Sequence, residues 1–200
     1  MNLQIALLTF VTAVLVWSGI APKDRFTWVL EVAPVLVVVP LLLATRRRFP
    51  LTPLLTVLIA AHAVILMVGG RYTYAEVPLG FAMQDLFGLA RNPYDGIGHF
   101  AQGFVPAIAA REILLRRSPL RRGGWLVFTV ISFCLAVSAL YELVEWGAAV
   151  GTGEAAEAFL GTQGDPWDTQ KDMALALVGA VCALLSLSRL HDRALERLRR

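Results

Sequence analysis

The run FTWVLEVAPVLVVVPLLLA, residues 26–44, holds a single ionisable side chain, Glu31, among nineteen residues. About 20 predominantly apolar residues are what a helix needs to cross the hydrocarbon of a bilayer. Working outward, comparable runs occupy 3–21, 51–69, 93–115, 124–150 and 171–190, with breakers at Ala21-Pro22, Phe49-Pro50, Gly69-Gly70, Gly123-Gly124 and Gly151 near their ends. The chain is 57% hydrophobic and 16% charged, with mean hydropathy +0.64. A soluble domain interleaves charge throughout, whereas here the charges cluster between apolar runs. The expected fold is therefore all-α: a polytopic membrane protein with six transmembrane helices in one domain, 1–200. Continuous runs, without alternation, exclude a β-barrel. Gly19-Ile20-Ala21 resembles a signal-peptide cleavage site, but no Lys or Arg precedes it and the apolar run exceeds the ~7–15 residues of such a segment, so a retained helix is expected.

Basic residues orient the chain. If six spans alternate, Arg46-Arg47-Arg48, then Arg116, Arg117, Arg121 and Arg122, then Arg193, Arg197, Arg199 and Arg200 share one side, and that side is the cytoplasm. Both termini are then cytoplasmic and the loops 70–92 and 151–170 external, in a bacterial inner membrane. The net charge of +3 reflects this topology and contact with membrane lipids, and requires no nucleic acid. The two cysteines, Cys134 and Cys182, fall inside spans and read as small apolar residues.

Polar residues within or beside the spans gather at one leaflet. Asp95, His99 and Gln102 share a face at the outer start of span four. Glu142 and Glu145 are i, i+3 neighbours in YELVEW near the outer end of span five. Asp165, Asp168 and Asp172 stand at the outer start of span six. Two of these stretches follow one template: Asn92-Pro93-Tyr94-Asp95-x3-His99 and Asp165-Pro166-Trp167-Asp168-x3-Asp172. A cap residue, proline at the first helical position and an early acid make an ordinary helix start. That pattern leaves His99 and Asp172 unaccounted for, since both lie past the first turn, beyond the needs of capping or the helix dipole.

The stretches YTYAEVPLG, NPYDGIGHFAQGF, YELVEW and FLGTQGDPWDTQKDM, spread over nearly the whole chain, resemble the family of uncharacterised bacterial inner-membrane proteins typified by YjdF. That likeness implies a membrane fold and assigns no activity. A second resemblance, to VanZ-like membrane proteins, rests on their pattern Asp-x3-His-Phe, Glu-x2-Gln, Asp-x3-Asn, echoed by Asp95, His99 and Phe100, by Glu142 and Glu145, and by Asp168 and Asp172. Glu145 and Asp172 are acids where those proteins carry amides, and the arginine before the last aspartate is missing. The present site would be more anionic, which favours a cation.

One histidine among several carboxylates suits Mg²⁺, Mn²⁺, Ca²⁺ or Zn²⁺, with Asp95, His99, Asp168 and Asp172 as the metal set. Glu142, Glu145 and Asp168 are the candidate catalytic groups, a spare carboxylate acting as base while the cation polarises a phosphoryl or acyl oxygen. Gln102, Arg71, Arg91 and Lys171 would bind a lipid phosphate or lipid-linked substrate near two helix starts. A hydrolase or transferase on such a substrate is one reading. A proton- or cation-coupled carrier is another, although six spans are few for one unless the chain forms a homo-oligomer. A hydrogen-bonded brace for the outer loops is the third.

Other residues carry plainer expectations. His62, deeper than the cluster, reads as a packed histidine hydrogen-bonded to a neighbouring helix. His191 reads as solvated in a basic tail, and Arg111-Glu112 as snorkelling or locally paired. Glu31 lies at a depth that would let it join the cluster. Residues 79–89, too short to span, read as an interfacial helix, and Gln163 as part of a flexible turn, so that both outer loops could cover the site. Glu154 and Glu157 would form the wet face of a short interfacial helix burying Phe159 and Leu160, and Pro34 and Pro40 would kink span two.

Overall fold

The computed structural model describes residues 3–152 and 162–198. Among these residues there is no strand. Seven α-helices and a 3₁₀ turn run in the order α1 (Leu3–Gly19), α2 (Arg25–Thr45), α3 (Pro53–Tyr72), the turn Tyr74–Glu76, α4 (Pro78–Phe87), α5 (Tyr94–Arg117), α6 (Gly124–Thr152) and α7 (Asp168–Leu198). Four of them, α2, α3, α6 and α7, are long and apolar enough to cross a membrane, and α1, with 17 residues, is a shorter apolar helix. With 24 residues α5 has the length, but Asp95, His99, Arg111 and Glu112 dilute its apolar character. The segment holding Glu154, Glu157, Phe159 and Leu160 lies outside the described residues.

Local chemistry sets the helix starts. The side chain of Asp24 accepts from the Thr27 amide at 2.6 Å, and that of Thr52 from the Leu55 amide at 3.3 Å, with Pro53 opening α3. Pro34 and Pro40 lie inside one continuous α2. Gly88 ends α4 in the left-handed conformation that glycine adopts without strain. The expected helix over 79–89 is thus the short α4, which stops at Phe87, with Leu86 and Phe87 exposed. Its Gly80 presses on Asn92, whose Oδ1 stands 1.7 Å from where a Cβ would be.

Helix α5 packs against α3, α6 and α7, while α1 and α2 both pack against α3. The α5–α7 contact is the closest. A Cβ on Gly103 would lie 1.8 Å from the Ala176 carbonyl oxygen, and one on Gly179 would lie 2.1 Å from that of Phe100. Small residues that let backbones touch drive helix association in lipid, where the hydrophobic effect contributes little. Below this contact Ile108, Val130, Cys134, Ala180 and Leu184 form a buried core. Cys134 is buried as a small apolar residue, and Cys182 is half-buried.

The far end of the α5–α7 interface corrects the expectation for His191 and decides that for Arg111-Glu112 in favour of pairing. His191 is fully buried, because α7 continues to Leu198 and carries the face of Ala176, Ala180, Ala183 and Leu184 on to His191 and Leu195. Arg111 and Glu112 are buried with it and do not snorkel. Arg111 donates to His191 Nδ1 at 2.9 Å and to Asp192 at 2.6 Å. His191 Nε2 lies 3.0 Å from Glu112 Oε2. Glu112 also accepts from the Thr52 hydroxyl at 2.7 Å, the Thr52 amide at 3.1 Å and Arg116 at 2.7 Å. Arginine can only donate, so in this network His191 accepts at Nδ1 and turns Nε2–H to Glu112. Every charged group in this network has a partner.

Candidate functional site

The two template segments fold alike. Asn92 Oδ1 accepts from the Tyr94 amide at 3.0 Å, and Asp165 Oδ1 accepts from the Trp167 amide at 3.0 Å. Both are side-chain turns two residues long, after which the proline and the aromatic residue lead into α5 and α7. The proline therefore precedes the helix, where the sequence pattern alone puts it at the first helical position. Asn92 is buried and also donates to the Val77 carbonyl at 3.0 Å. Gln163 clasps its backbone from the other loop, accepting from the Asn92 amide at 3.1 Å and donating to its carbonyl at 3.0 Å. What the sequence reads as a flexible turn is a strut between the two helix starts.

Starting side by side, α5 and α7 bring Asp95, His99 and Asp172 together, with one ligand atom from each lying within 4.8 Å of the others. All three are buried. His99 Nε2 is 3.4 Å from Asp95 Oδ1 and 4.0 Å from Asp172 Oδ2, distances too long for strong hydrogen bonds. On its other side, His99 Nδ1 is 3.3 Å from Gln102 Oε1 and 3.7 Å from Glu142 Oε1. Glu142 and Glu145 of α6 are both buried, Glu142 near the Thr169 hydroxyl. Three carboxylate oxygens, Asp95 Oδ2, Glu142 Oε1 and Asp172 Oδ1, have no hydrogen-bond partner among the described residues.

The remaining predicted residues fall around this centre or away from it. Asp168, in the expected metal set, is turned to Arg91 in an ion pair, and Arg91 also donates to the Thr162 carbonyl at 3.0 Å. Burial works to lower the Arg91 pKa, but the Asp168 hydrogen bond and the surrounding carboxylates leave it raised. Lys171 holds Asp165 at 2.5 Å on the exposed rim, and that hydrogen bond, followed by the Trp167 amide, keeps the Asp165 carboxyl below its ordinary value. Arg71 is engaged elsewhere, donating to the Trp17 and Ile20 carbonyls at 2.6 Å each and stacking on the Trp17 ring at 4.5 Å.

Glu31 does reach the cluster. It is buried on α2 and accepts from the Tyr141 hydroxyl at 3.1 Å, while the Tyr141 ring stands edge-on to His99 with centroids 6.3 Å apart. Tyr141 went unmarked in the sequence reading. Its position one residue before Glu142 in YELVEW was the available signal. Tyr74, also unmarked, sits in a notch beside Gly69 and Gly98. Burial first, and then the charge of Glu31, push its hydroxyl well above the usual tyrosine range.

A cavity of about 350 Å³ opens next to the cluster, between α2, α3, α5 and α6, with Glu31, His99, Gln102 and Tyr141 at one end. His62 lines it lower down. The expected bond to a neighbouring helix is not made by His62 Nε2, which has no partner among the described residues.

Residues 3–193 match the model of a family described as Predicted membrane protein (DUF2238). The chain belongs to that family. It is also 56% identical over 186 residues to the inner membrane protein YjdF of Escherichia coli (strain K12), an alignment covering 93% of this chain and 89% of that protein. Family and relative agree with the apolar helices on a protein of the bacterial inner membrane. No solved structure matches. These comparisons do not bear out the likeness to VanZ-like proteins.

Proposed function

We propose that this member of the family crosses the inner membrane six times, with both termini cytoplasmic, and binds one divalent cation at Asp95, His99 and Asp172 to hold a lipid phosphate or lipid-linked group at the outer face. One observation carries this reading: three buried carboxylates around a single histidine each leave an oxygen unpartnered. Buried carboxylates without a counter-charge are strongly disfavoured, and the nearby Arg91 is committed to Asp168. A cation supplies the missing charge. Ligand atoms ~2.0–2.6 Å from one ion stand roughly 3–4 Å apart, in keeping with the 3.4 and 4.0 Å from His99 Nε2 to Asp95 Oδ1 and Asp172 Oδ2, the other oxygens of two of these carboxylates. Gln102 fits this assignment as an orienting residue. Accepting Nδ1–H, it leaves the Nε2 lone pair directed at Asp95 and Asp172.

Two oxygens and one nitrogen suit Mg²⁺, Mn²⁺ or Zn²⁺ and leave positions for water and a phosphoryl oxygen. Glu142 and Glu145 are the groups able to take a proton from an attacking water. Lys171 stands on the rim for an incoming anion. The six-span topology is supported by the arginine clusters and by α5, whose Asp95, His99, Arg111 and Glu112 are all buried against protein. A carrier would need access from both faces, and the paired His191 network at the opposite end of α5–α7 speaks for a one-sided site.

Elemental analysis of detergent-purified protein tests the reading. Stoichiometric Mg, Mn or Zn is expected in the wild type and absent from His99→Ala and Asp172→Ala. Wild type that is metal-free and takes up none of these ions when they are added defeats the cation assignment.

A further inference from the structure

The cavity beside the cluster has the polarity of a lipid. Glu31, His99, Gln102 and Tyr141 gather at one end, and below them, with the polar side chain of His62 on the opposite side, the α5 wall continues through Val105 and Ala109 to Ile113. From Gly98 to Ile113 that wall is about 22 Å long at ~1.5 Å per residue. About 350 Å³ drawn out over such a length is narrow, the shape of a chain more than of a compact solute. Apolar walls do not order water, and an empty space destabilises a fold in proportion to its volume.

The cavity also has an entrance from the side. Helix α2 packs on α3, and α6 packs on α5 and α7, so no packed interface joins α2 to α6 along the cavity. The hydrogen bond from Tyr141 to Glu31 bridges the two helices only at the polar end. Ile113 and Phe133 stand half-exposed on the rim, facing where hydrocarbon would lie in a bilayer.

We infer that this cavity holds the hydrocarbon chain of an anionic phospholipid whose phosphate sits on the cation at Asp95, His99 and Asp172. The headgroup half of this statement rests on the cation reading, and the chain half on the cavity. The cation converts an anionic cluster into a receptor for phosphate, and His99, which belongs both to that cluster and to the cavity wall, joins it to the apolar slot. A free phosphate or a soluble phosphoester would use the first feature and leave the second without an occupant.

The probe is phosphatidylglycerol carrying a photoreactive diazirine midway along one acyl chain, in vesicles containing the full-length protein. After irradiation, adducts are mapped by mass spectrometry. Adducts on Val105, Ala109 and Val137 should exceed those on Leu185 several-fold. Leu185 is 81% exposed on α7, and its neighbour Leu184 packs in the same core as Ala110. Ala109→Trp and, from the opposite wall, Val38→Trp should each cut the cavity adducts at least tenfold without changing the Leu185 adducts or the metal content. Retained metal and helical content show that these variants are folded. In Asp172→Ala the cavity adducts should fall at least threefold, since the headgroup has lost its anchor. Labelling that simply follows exposure, or that survives both tryptophan variants, overturns the inference. Cavity labelling equal in wild type and Asp172→Ala overturns the single-lipid assignment and leaves the cation reading standing. A labelled cavity in a metal-free wild type overturns the cation reading instead.

Discussion

Two buried histidines stand at opposite ends of the same helix pair, each among carboxylates, and they differ in how their neighbours are satisfied. Around His191, Glu112 accepts four hydrogen bonds, and Arg111, Arg116 and Thr52 all donate. Around His99, three carboxylate oxygens have no donor and the separations open to 3.4–4.0 Å. Both histidines turn Nε2 to carboxylates, and they differ at Nδ1. His191 receives Arg111 at Nδ1, whereas His99 turns Nδ1 to Gln102 and presents Nε2 to two aspartates. One site is closed by protein donors and reads as a brace. The other has no arginine or lysine among its donors and reads as a receptor. Burial and residue type are shared, so only the hydrogen-bond inventory separates structure from function here.

The largest test of this comparison is a matched pair of truncations. Glu112→Ala leaves His191 Nε2–H and the Thr52 hydroxyl and amide without their buried acceptor and should cost about 3–5 kcal/mol of stability, read as unfolding in detergent. Asp172→Ala removes an unsatisfied carboxylate and should change stability in metal-free buffer by less than about 1 kcal/mol, or increase it. Equal losses would mean that both clusters are braces. A middle-sized effect is expected at Gly103, where an added Cβ must push the Ala176 carbonyl away. Gly103→Ala should cost about 1–3 kcal/mol by overpacking and weaken cation retention, because the α5–α7 spacing sets the distance from His99 to Asp172. Gly124→Ala, with nothing within 4 Å of the new Cβ, is the control and should do neither.

The twin helix starts sharpen the comparison further. Asp165→Ala removes an exposed turn bond and the pair with Lys171, and should cost less than the matching change at Asn92. Asn92→Ala also strips a buried donor from the Val77 carbonyl and should cost about 2 kcal/mol, measured by the same unfolding assay. The smallest effect is a pH dependence. The folded pKa of Asp165 lies below its ordinary 3.8, so its ion pair with Lys171 contributes stability above pH 3.8 that is lost as the pH falls through the lower folded value. Lys171→Met should flatten that part of an acid titration.

The helices were legible because continuous apolar runs have one economical fold in lipid, and the convergence of Asp95, His99 and Asp172 was legible because two helix starts repeat one template. Other features were not, for physical reasons. Where α7 ends is decided by packing against α5, so a polar tail that looked solvated became the buried His191 network. The pairing of Asp168 with Arg91 depends on a long side chain reaching from a loop seventy-seven positions away in sequence. Glu31 joins the cluster through Tyr141, a contact between distant helices with no local signature. The cavity arises where α2 and α6 do not pack, and an absence of contact leaves no periodicity to read.

The most direct test of the central claim is the thermal midpoint of chelator-stripped protein with and without added Mg²⁺, Mn²⁺ or Zn²⁺. Binding to the folded state alone stabilises by about 2.7 kcal/mol at a ligand concentration 100 times the dissociation constant. The account predicts that at least one of these ions raises the midpoint in the wild type and leaves His99→Ala and Asp172→Ala unmoved. A wild type indifferent to all three, or an equal rise in the two variants, would contradict it.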